Sequence, residues 1–339
     1  MTTIVVKQDG TGTYDNLTDA FGAANRYDII EIQDSETYNE GNLYKVRADL
    51  TIRAGTDPSG ARYTPILDGG GTLDCAIKFY NDWIIDGLTI TNYDGTATYG
   101  AGLISVAGNR TVTIRNCTLY NLADSAITGL KDGSVVENCK IYDIHTLISA
   151  RGIDSGVESA TITNCLIYDV IHDGIQSTDT ASLIQHCTLY NVGYAGGTGG
   201  YGISGGNGTV KYCVVSDPQH ILTAAGIKAV THSYNCVSGS EGSVHGNYYG
   251  GAGTGDIVTD PLLVSGSFKL SEASPCRLAA VGSTTTRDIL SGSRNWEFSH
   301  AVNGVNSAPT YDMGALEFVY TTVDGVDTEL IAKVMGVTD

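Results

Sequence analysis

The sequence is poor in proline and in charged side chains, since only 6 of its 339 residues are proline and 17% are charged. Disorder requires low hydrophobicity and many charges, whereas 42% of these residues are hydrophobic. No run of about 18 apolar residues occurs, which excludes an apolar membrane-spanning helix. The 43 glycines follow no strict three-residue period, which excludes collagen. The chain is therefore predicted to fold around a core, with glycine at its turns.

Basic residues are also scarce, with 19 Lys and Arg against 37 Asp and Glu, which gives a net charge of −18. This charge repels phosphate backbones and anionic lipid, so nucleic acid and membrane surfaces are not predicted as partners. The first residues contain no basic segment followed by an apolar one. The sequence therefore has no recognisable secretory signal, and we expect the chain to fold in a cytoplasm.

The chain has eight cysteines but no C-x-x-C pair, so neither a thiolate metal site nor any other metal or cofactor is expected. Five of the cysteines mark an internal repeat whose copies lie 22 or 26 residues apart. The repeat reads TIRNCTLYNL at 113–122, VVENCKIYDI at 135–144, TITNCLIYDV at 161–170, LIQHCTLYNV at 183–192 and TVKYCVVSDP at 209–218. Each period contains several short strand-like runs separated by Gly, Asn or Asp.

A period of this length with three short strands is typical of one coil of a right-handed parallel β-helix. Alternation along the strand places Cys117 and Leu119 inside and Tyr120 outside. The residue before each repeat cysteine is Asn in most copies, including Asn116 and Asn235, and Asn tolerates the left-handed backbone of a sharp corner. The cysteines are interpreted as small buried hydrophobic residues, and all eight are expected to be reduced.

The predicted fold is therefore all-β, a single-stranded right-handed parallel β-helix with an N-terminal cap helix and an irregular C-terminal cap. We assign 1–45 to the N-terminal cap and first coil, 46–255 to the β-helix, 256–318 to a capping segment and 319–339 to a tail with a short helix.

Both predicted helices begin at an aspartate. Asp15 is the predicted N-cap of a helix whose buried face comprises Leu17, Ala20, Phe21 and Ala24. Asp327 is the predicted N-cap of the tail helix, which ends at Gly336.

Two parts of the sequence carry a resemblance to the pectate-lyase-like superfamily of right-handed parallel β-helix proteins. Residues 4–41 resemble the first coil of carbohydrate-acting members, and 260–282 with DMGALEF at 312–318 is similar to the closing segment of bacterial and phage members. The resemblance implies the fold but not an activity, because such helices carry lyases, hydrolases, esterases and inert spikes. The sequence motifs of its methylesterases, polygalacturonase-like hydrolases and calcium-dependent lyases are missing here.

Five polar residues are candidates for a catalytic groove. Arg151, Asp154, His172, Asp173 and Lys228 have the chemistry by which a base removes a proton from a uronic acid while a cation stabilises its carboxylate. The alternative is a solvated, hydrogen-bonded face. Asp154 and Lys228 are predicted to lie three coils, or about 14 Å, apart, which is too far for joint chemistry.

Two sets of side chains are candidates for binding or for a subunit interface. The first is an outward ladder of aromatic rings, Tyr120, Tyr142, Tyr168 and Tyr190. These rings could stack on sugars or on a neighbouring subunit, or they could be covered by the turn loops of the same chain. The second is one face of the tail helix, expected to dock on another subunit or particle, and comprises Leu330, Ile331, Val334 and Met335.

A β-helix with unpaired thiols and no secretory signal is typical of tailed-phage virion proteins, and the terminal sequence GVDTELIAKVMGVTD resembles their tail ends. We therefore expect a non-enzymatic virion protein, either a capsid decoration or accessory protein or a receptor-binding spike. The phage resemblance implies a homotrimer. The expected partners are other virion proteins, such as the major capsid or tail protein, and a cell-surface glycan. A polysaccharide lyase or hydrolase and a bacterial glycan-binding protein are the alternatives.

Overall fold

The computed structural model describes most of the first 281 residues and four short pieces beyond them. The described ranges are 1–46, 48–95, 101–105, 111–147, 149–156, 159–177, 181–193, 200–216, 225–239, 247–264, 267–271, 273–277, 279–281, 310–311, 313–314, 322–323 and 326–327.

Short parallel strands stack in three columns, and each complete coil contributes one strand to each column, whereas the first coil contributes only Thr3–Val6. The chain passes from the third column to the first and then to the second. The first column contains Thr3–Val6, Ile29–Ile32, Leu50–Ala54, Trp83–Asp86, Val112–Arg115, Ser134–Glu137, Ala160–Thr163 and Leu183–Gln185. The second contains Thr37–Tyr38, Ile66–Asp68, Thr89–Thr91, Thr118–Leu122, Lys140–Ile144, Leu166–Val170, Thr188–Val192, Val214–Ser216 and Cys236–Val237. The third contains Leu43–Tyr44, Ile77–Phe79, Leu103–Ser105, Ile127–Thr128, Ile153–Asp154 and Ile175–Gln176.

The strands Ile203–Lys211 and Ile227–Ser233 each begin in the third column and end in the first. This arrangement confirms the predicted all-β, right-handed parallel β-helix. Two antiparallel pairs follow it, Ala280–Val281 with Thr310–Tyr311 and Thr322–Val323 with Val326–Asp327. No helix within the described ranges is long and apolar enough to cross a membrane.

The repeat cysteines lie inside the helix, as predicted. Cys117 is 1% exposed and Cys139, Cys165, Cys187 and Cys213 are fully buried. Each thiol donates to the carbonyl oxygen two residues earlier, at 3.2 to 3.4 Å. Burial holds the pKa of the Cys139 thiol well above its ordinary value, which keeps the group neutral. All eight cysteines of the chain are buried and free.

Left-handed backbone turns the chain between the first and second columns. Asn116, Asn138 and Asn164 have φ of 56°, 54° and 53°, which confirms the predicted corners. The prediction for Asn235 is wrong, because Tyr234 takes the left-handed position there at φ 55°. In the last coil one additional residue, Asn235, separates the corner from the cysteine, and this residue is fully buried. Asn235 Nδ2 donates to Val210 O at 3.1 Å, and Asn235 Oδ1 accepts from Cys213 N at 2.9 Å.

The helix Leu17–Ala23 covers the first coil and buries Leu17, Ala20 and Phe21. Its N-cap is Asn16 and not the predicted Asp15, since Asn16 Oδ1 accepts a hydrogen bond from Asp19 N at 2.8 Å. The Glu40 carboxylate fixes this choice, because it accepts from Leu17 N at 2.8 Å and so ties the first turn of the helix to the following coil.

The C-terminal segment folds back over the side of the β-helix. Leu270, Cys276 and Met313 are buried in a cluster with Val214 of the second column. The prediction that Asp327 is the N-cap of a tail helix is wrong, because this residue lies in an antiparallel strand pair. The rest of the predicted tail helix, with Leu330, Ile331, Val334 and Met335, lies outside the described residues.

Substitution of the two candidate capping residues tests the helix start. Asn16→Ala removes the hydrogen bond to Asp19 N and should lower the free energy of unfolding by about 1 kcal/mol. Asp15→Ala, at an exposed position, should change it by less than about 0.5 kcal/mol. Urea denaturation followed by circular dichroism measures both, and the reverse order of effects would restore Asp15 as the cap.

Candidate functional site

The turns that lead into the third column carry a row of polar side chains. Two residues before each strand stand Ser125, Arg151, Asp173 and Tyr201, which we call the turn row. Backbone hydrogen bonds stack these turns, since Ala126 N donates to Arg151 O at 3.0 Å and Gly174 N to Tyr201 O at 3.1 Å. Residues that are 22 to 28 positions apart in the sequence thereby become neighbours.

Glycine directly after the turn row lets the turns approach one another. A Cβ atom on Gly152 would lie 2.5 Å from the carbonyl oxygen of Gly174, and one on Gly174 would lie 2.3 Å from Leu189 Cδ2. Any side chain at these positions would push the coils apart. The close stacking of Arg151 on Asp173 therefore depends on these glycines.

Arg151 is the centre of an ion-pair cluster. Its Nη1 lies 2.9 Å from Asp154 Oδ2, and its Nε lies 3.3 Å from Asp173 Oδ2. Its backbone N donates to Ser125 Oγ at 2.9 Å. The side chain of Arg151 is 23% exposed, whereas that of Asp173 is 4% exposed, so the cluster has one solvent-facing side. We call Arg151, Asp154, His172 and Asp173 the Arg151 cluster.

Asp173 is held by several partners. Its Oδ1 accepts from Tyr201 N at 2.5 Å while its Oδ2 pairs with Arg151. His172 Nδ1 lies 3.4 Å from the same Oδ2, and this buried nitrogen makes no hydrogen bond within the part of the chain that the structure describes. The Asp173 carboxylate therefore links its own turn to the turns at Arg151 and Tyr201 on either side.

The structure adds one carboxylate that the sequence analysis did not select. Asp124 is 6% exposed, and its Oδ1 accepts hydrogen bonds from Ser125 N at 2.7 Å and Ser125 Oγ at 3.3 Å. Burial raises the pKa of the Asp124 carboxyl, and the hydrogen bonds from Ser125 and the nearby charge of Arg151 only partly offset this effect. Asp124 occupies the same turn position as His172, and this alignment is the signal that would have identified it.

Lys228 lies apart from the Arg151 cluster. It shares an outward row with Asp154, in which Asp154 pairs with Gln176, Gln176 with Ser204, and Ser204 with Lys228. The Lys228 ammonium lies 4.9 Å from the ring centre of Tyr201 and 5.6 Å from that of Tyr249. Four of the five predicted groove residues are therefore brought together, and the separation predicted for Lys228 agrees with the register.

The outward tyrosines form a ladder that is only partly open. Tyr120 and Tyr142 stack with ring centres 5.1 Å apart, and Tyr142 and Tyr168 with ring centres 4.8 Å apart. Phe268 of the C-terminal segment then packs 4.5 Å from Tyr168 and 5.6 Å from Tyr190. All four outward rings are thus half-buried, and Phe268 covers the end at Tyr168 and Tyr190.

The described residues contain no group of three or more His, Cys, Asp or Glu side chains placed to hold a metal ion. The carboxylates of the Arg151 cluster are instead opposed by a guanidinium. This arrangement can position polar groups toward a ligand, and it can equally tie adjacent coils together.

Comparison with known proteins identifies the fold. No protein-family model and no curated protein matches the chain. The crystal structure of pectate lyase Pel9A is 14% identical over 94% of this chain and 97% of its own, with a TM-score of 0.52. A pectin methylesterase from Aspergillus niger is 18% identical over 76% and 85%, with a TM-score of 0.46. A PL6 family alginate lyase is 15% identical over 78% and 38%, with a TM-score of 0.42. The protein shares the pectate-lyase-like parallel β-helix fold, and at these identities the likeness extends to the fold alone.

The buried carboxyl of Asp124 should make stability depend on pH. Because its pKa is raised in the folded state, ionisation costs folding energy, and this cost appears as the pH rises above the ordinary aspartate value. Asp124→Asn keeps the acceptor oxygen and removes the charge, so it should raise the free energy of unfolding at pH 7. The gain should shrink as the pH is lowered towards 4.

Chemical denaturation across this pH range measures the effect. Glu36→Gln, at an exposed carboxylate in an earlier coil, is the control and should give little gain at any pH. A loss of stability for Asp124→Asn at pH 7 would contradict the assignment of a desolvation cost.

Proposed function

We propose that the protein is a non-enzymatic structural component of a tailed-phage virion, either a capsid decoration or accessory protein or a receptor-binding spike. The observation that supports this most is the pairing of Arg151 with both Asp154 and Asp173. A cation that stabilises a reacting carboxylate must be able to reach it, and a general base must reach a substrate proton. Here the charged groups pair with each other, and the Arg151–Asp173 pair joins adjacent coils.

The proposed assembly is a homotrimer that forms in the host cytoplasm. Tyr120 and Tyr142 form the end of the ladder that Phe268 leaves uncovered, and Lys140 lies 4.9 Å from the ring centre of Tyr142. Half-buried aromatic rings on a flat side favour contact with another protein surface, and closed symmetry would bury them without forming filaments. Other virion proteins and a cell-surface glycan are the further partners proposed. The net charge of −18 argues against nucleic acid and membranes.

Light scattering coupled to size-exclusion chromatography tests the assembly. The wild type should have three times the chain mass of 35.6 kDa at micromolar concentration. The double variant Tyr120→Ser with Tyr142→Ser should weaken the trimer at least tenfold, because it removes the stacked pair. Tyr44→Ser, at a tyrosine that is 56% exposed on another column, is the matched control and should leave the mass unchanged. A wild-type monomer would overturn the trimer.

A polysaccharide lyase or hydrolase is the second candidate. The observation that favours it is the convergence of Arg151, Asp154, Asp173 and His172 on one side, with Asp124 in an adjacent turn. A carboxyl whose pKa is raised by burial is suited to donate a proton, and a guanidinium to hold a uronate carboxylate. Carbohydrate-degrading enzymes also use this fold, although fold does not determine activity.

An assay on a panel of acidic and neutral polysaccharides separates the two candidates. The first proposal predicts no new reducing ends and no unsaturated products from the wild type. Turnover that falls at least a hundredfold in Arg151→Gln, with an unchanged circular dichroism spectrum, would contradict the first proposal and establish the second. Thr161→Val, on the first column and outside the Arg151 cluster, is the control for nonspecific loss.

A further inference from the structure

Cys236 departs from the pattern of the other repeat cysteines. Where the five preceding thiols donate to the carbonyl oxygen two residues earlier, Cys236 Sγ donates to Thr259 O at 3.4 Å. Its side chain is therefore directed towards the segment that follows the helix. There the Cys276 side chain is close enough to raise the pKa of the Cys236 thiol, and both side chains are fully buried in the same cluster.

Both cysteines are fixed at their backbones. Cys236 N donates to Cys213 O at 2.8 Å, which holds the last strand of the second column. Cys276 N donates a hydrogen bond to Ser274 Oγ at 3.1 Å, and Cys276 O accepts one from Met313 N at 3.0 Å. The thiols are thus held together by two separate parts of the fold that are 40 residues apart in sequence.

The repeat cysteines also contact one another, but in a different geometry. They occupy the same position in parallel strands, which fixes their Cα and Cβ atoms about 4.8 Å apart with parallel bond directions. A disulfide needs Cβ atoms about 3.8 Å apart and a torsion near 90°. Strand pairing on both sides opposes that adjustment. Cys276 lies in a turn outside the stacked strands, so strand pairing does not fix its Cα and Cβ atoms relative to those of Cys236.

We propose that Cys236 and Cys276 are a redox modification site, which closes to a disulfide when the protein leaves a reducing compartment and so locks the C-terminal segment onto the last coil. The oxidant is a low-molecular-weight disulfide such as glutathione disulfide. One thiolate attacks it, forming a mixed disulfide and releasing one glutathione. The second protein thiol then displaces the second glutathione. The two electrons and the two thiol protons end on two glutathione molecules.

The reaction requires brief opening of the C-terminal segment. Both thiols are fully buried, and the neighbouring Cys276 side chain, together with burial, raises the pKa of the Cys236 thiol, so a thiolate does not form while the segment is closed. Few backbone hydrogen bonds tie the described part of this segment to the helix, among them Gly314 N to Tyr212 O at 2.8 Å. Opening of such a segment costs less than global unfolding. Oxidation should therefore be slow, selective and complete.

Thiol counting and peptide mapping on the full chain test the proposal. Protein purified under reducing conditions should titrate eight thiols in denaturant, and six after equilibration with excess glutathione disulfide. Trypsin places the relevant cysteines in separate peptides, Tyr212–Lys228, Ala229–Lys269 and Leu270–Arg277, each with a single cysteine. The expected cross-link joins the last two. The melting temperature should rise by several degrees, because the bond restricts the unfolded chain.

Two variants control the assignment. Cys276→Ala should keep all seven of its thiols and show no rise in melting temperature on oxidation. Cys213→Ala, at the neighbouring repeat position, should still lose two thiols and give the same cross-link. Eight remaining thiols in the oxidised wild type, a cross-link between repeat cysteines, or a stable glutathione adduct without a cross-link would each overturn the proposal. None of these outcomes depends on the virion assignment or on the trimer.

Discussion

Each strand of this protein pairs with the equivalent strand of the next coil, and its side chains divide cleanly between core and solvent only while that register holds. A slip by one residue would turn Cys139 and Ile141 outward and Tyr142 inward. The chain therefore repeats its residues where strands and corners lie, with Asn138 in left-handed backbone, and varies its length in the turns. Coils of 22 and 26 residues stack equally well because the turns absorb the difference.

The same stacking creates the candidate site. A polar residue at one turn position acquires polar neighbours from the coils on either side, and glycine at Gly152 and Gly174 makes the contact close. Arg151 and Asp173 are paired for this reason, although the sequence separates them by 22 residues. A helical stack thus produces charge clusters as a consequence of its geometry. Such a cluster becomes a catalytic site only if its groups can exchange these partners for a substrate.

The repeating part of the sequence predicted the structure well, because each repeat supplies independent evidence for the same inward, outward and corner positions. The errors lie where repetition ends. Asp15 and Asn16 are both good helix caps, and the contact with Glu40, distant in sequence, decides between them. Asn235 lies in a coil with one additional residue, so the corner shifts to Tyr234. Asp124 was missed because its burial depends on the packing of a turn, which has no two-residue alternation.

The fold-back of the C-terminal segment has no periodic signal either, yet it controls the surface that the tyrosines present. Phe268 packs against Tyr168 and Tyr190, so a partner that binds the ladder must either use the end at Tyr120 and Tyr142 or displace Phe268. Phe268 lies between Cys236 and Cys276 in the sequence, within the loop that a bond between them would close. If that bond formed, a partner would have to displace Phe268 while the C-terminal segment stayed attached to the last coil. The packing of the C-terminal segment against the last coils of the β-helix therefore also determines how much of the tyrosine ladder is available for binding.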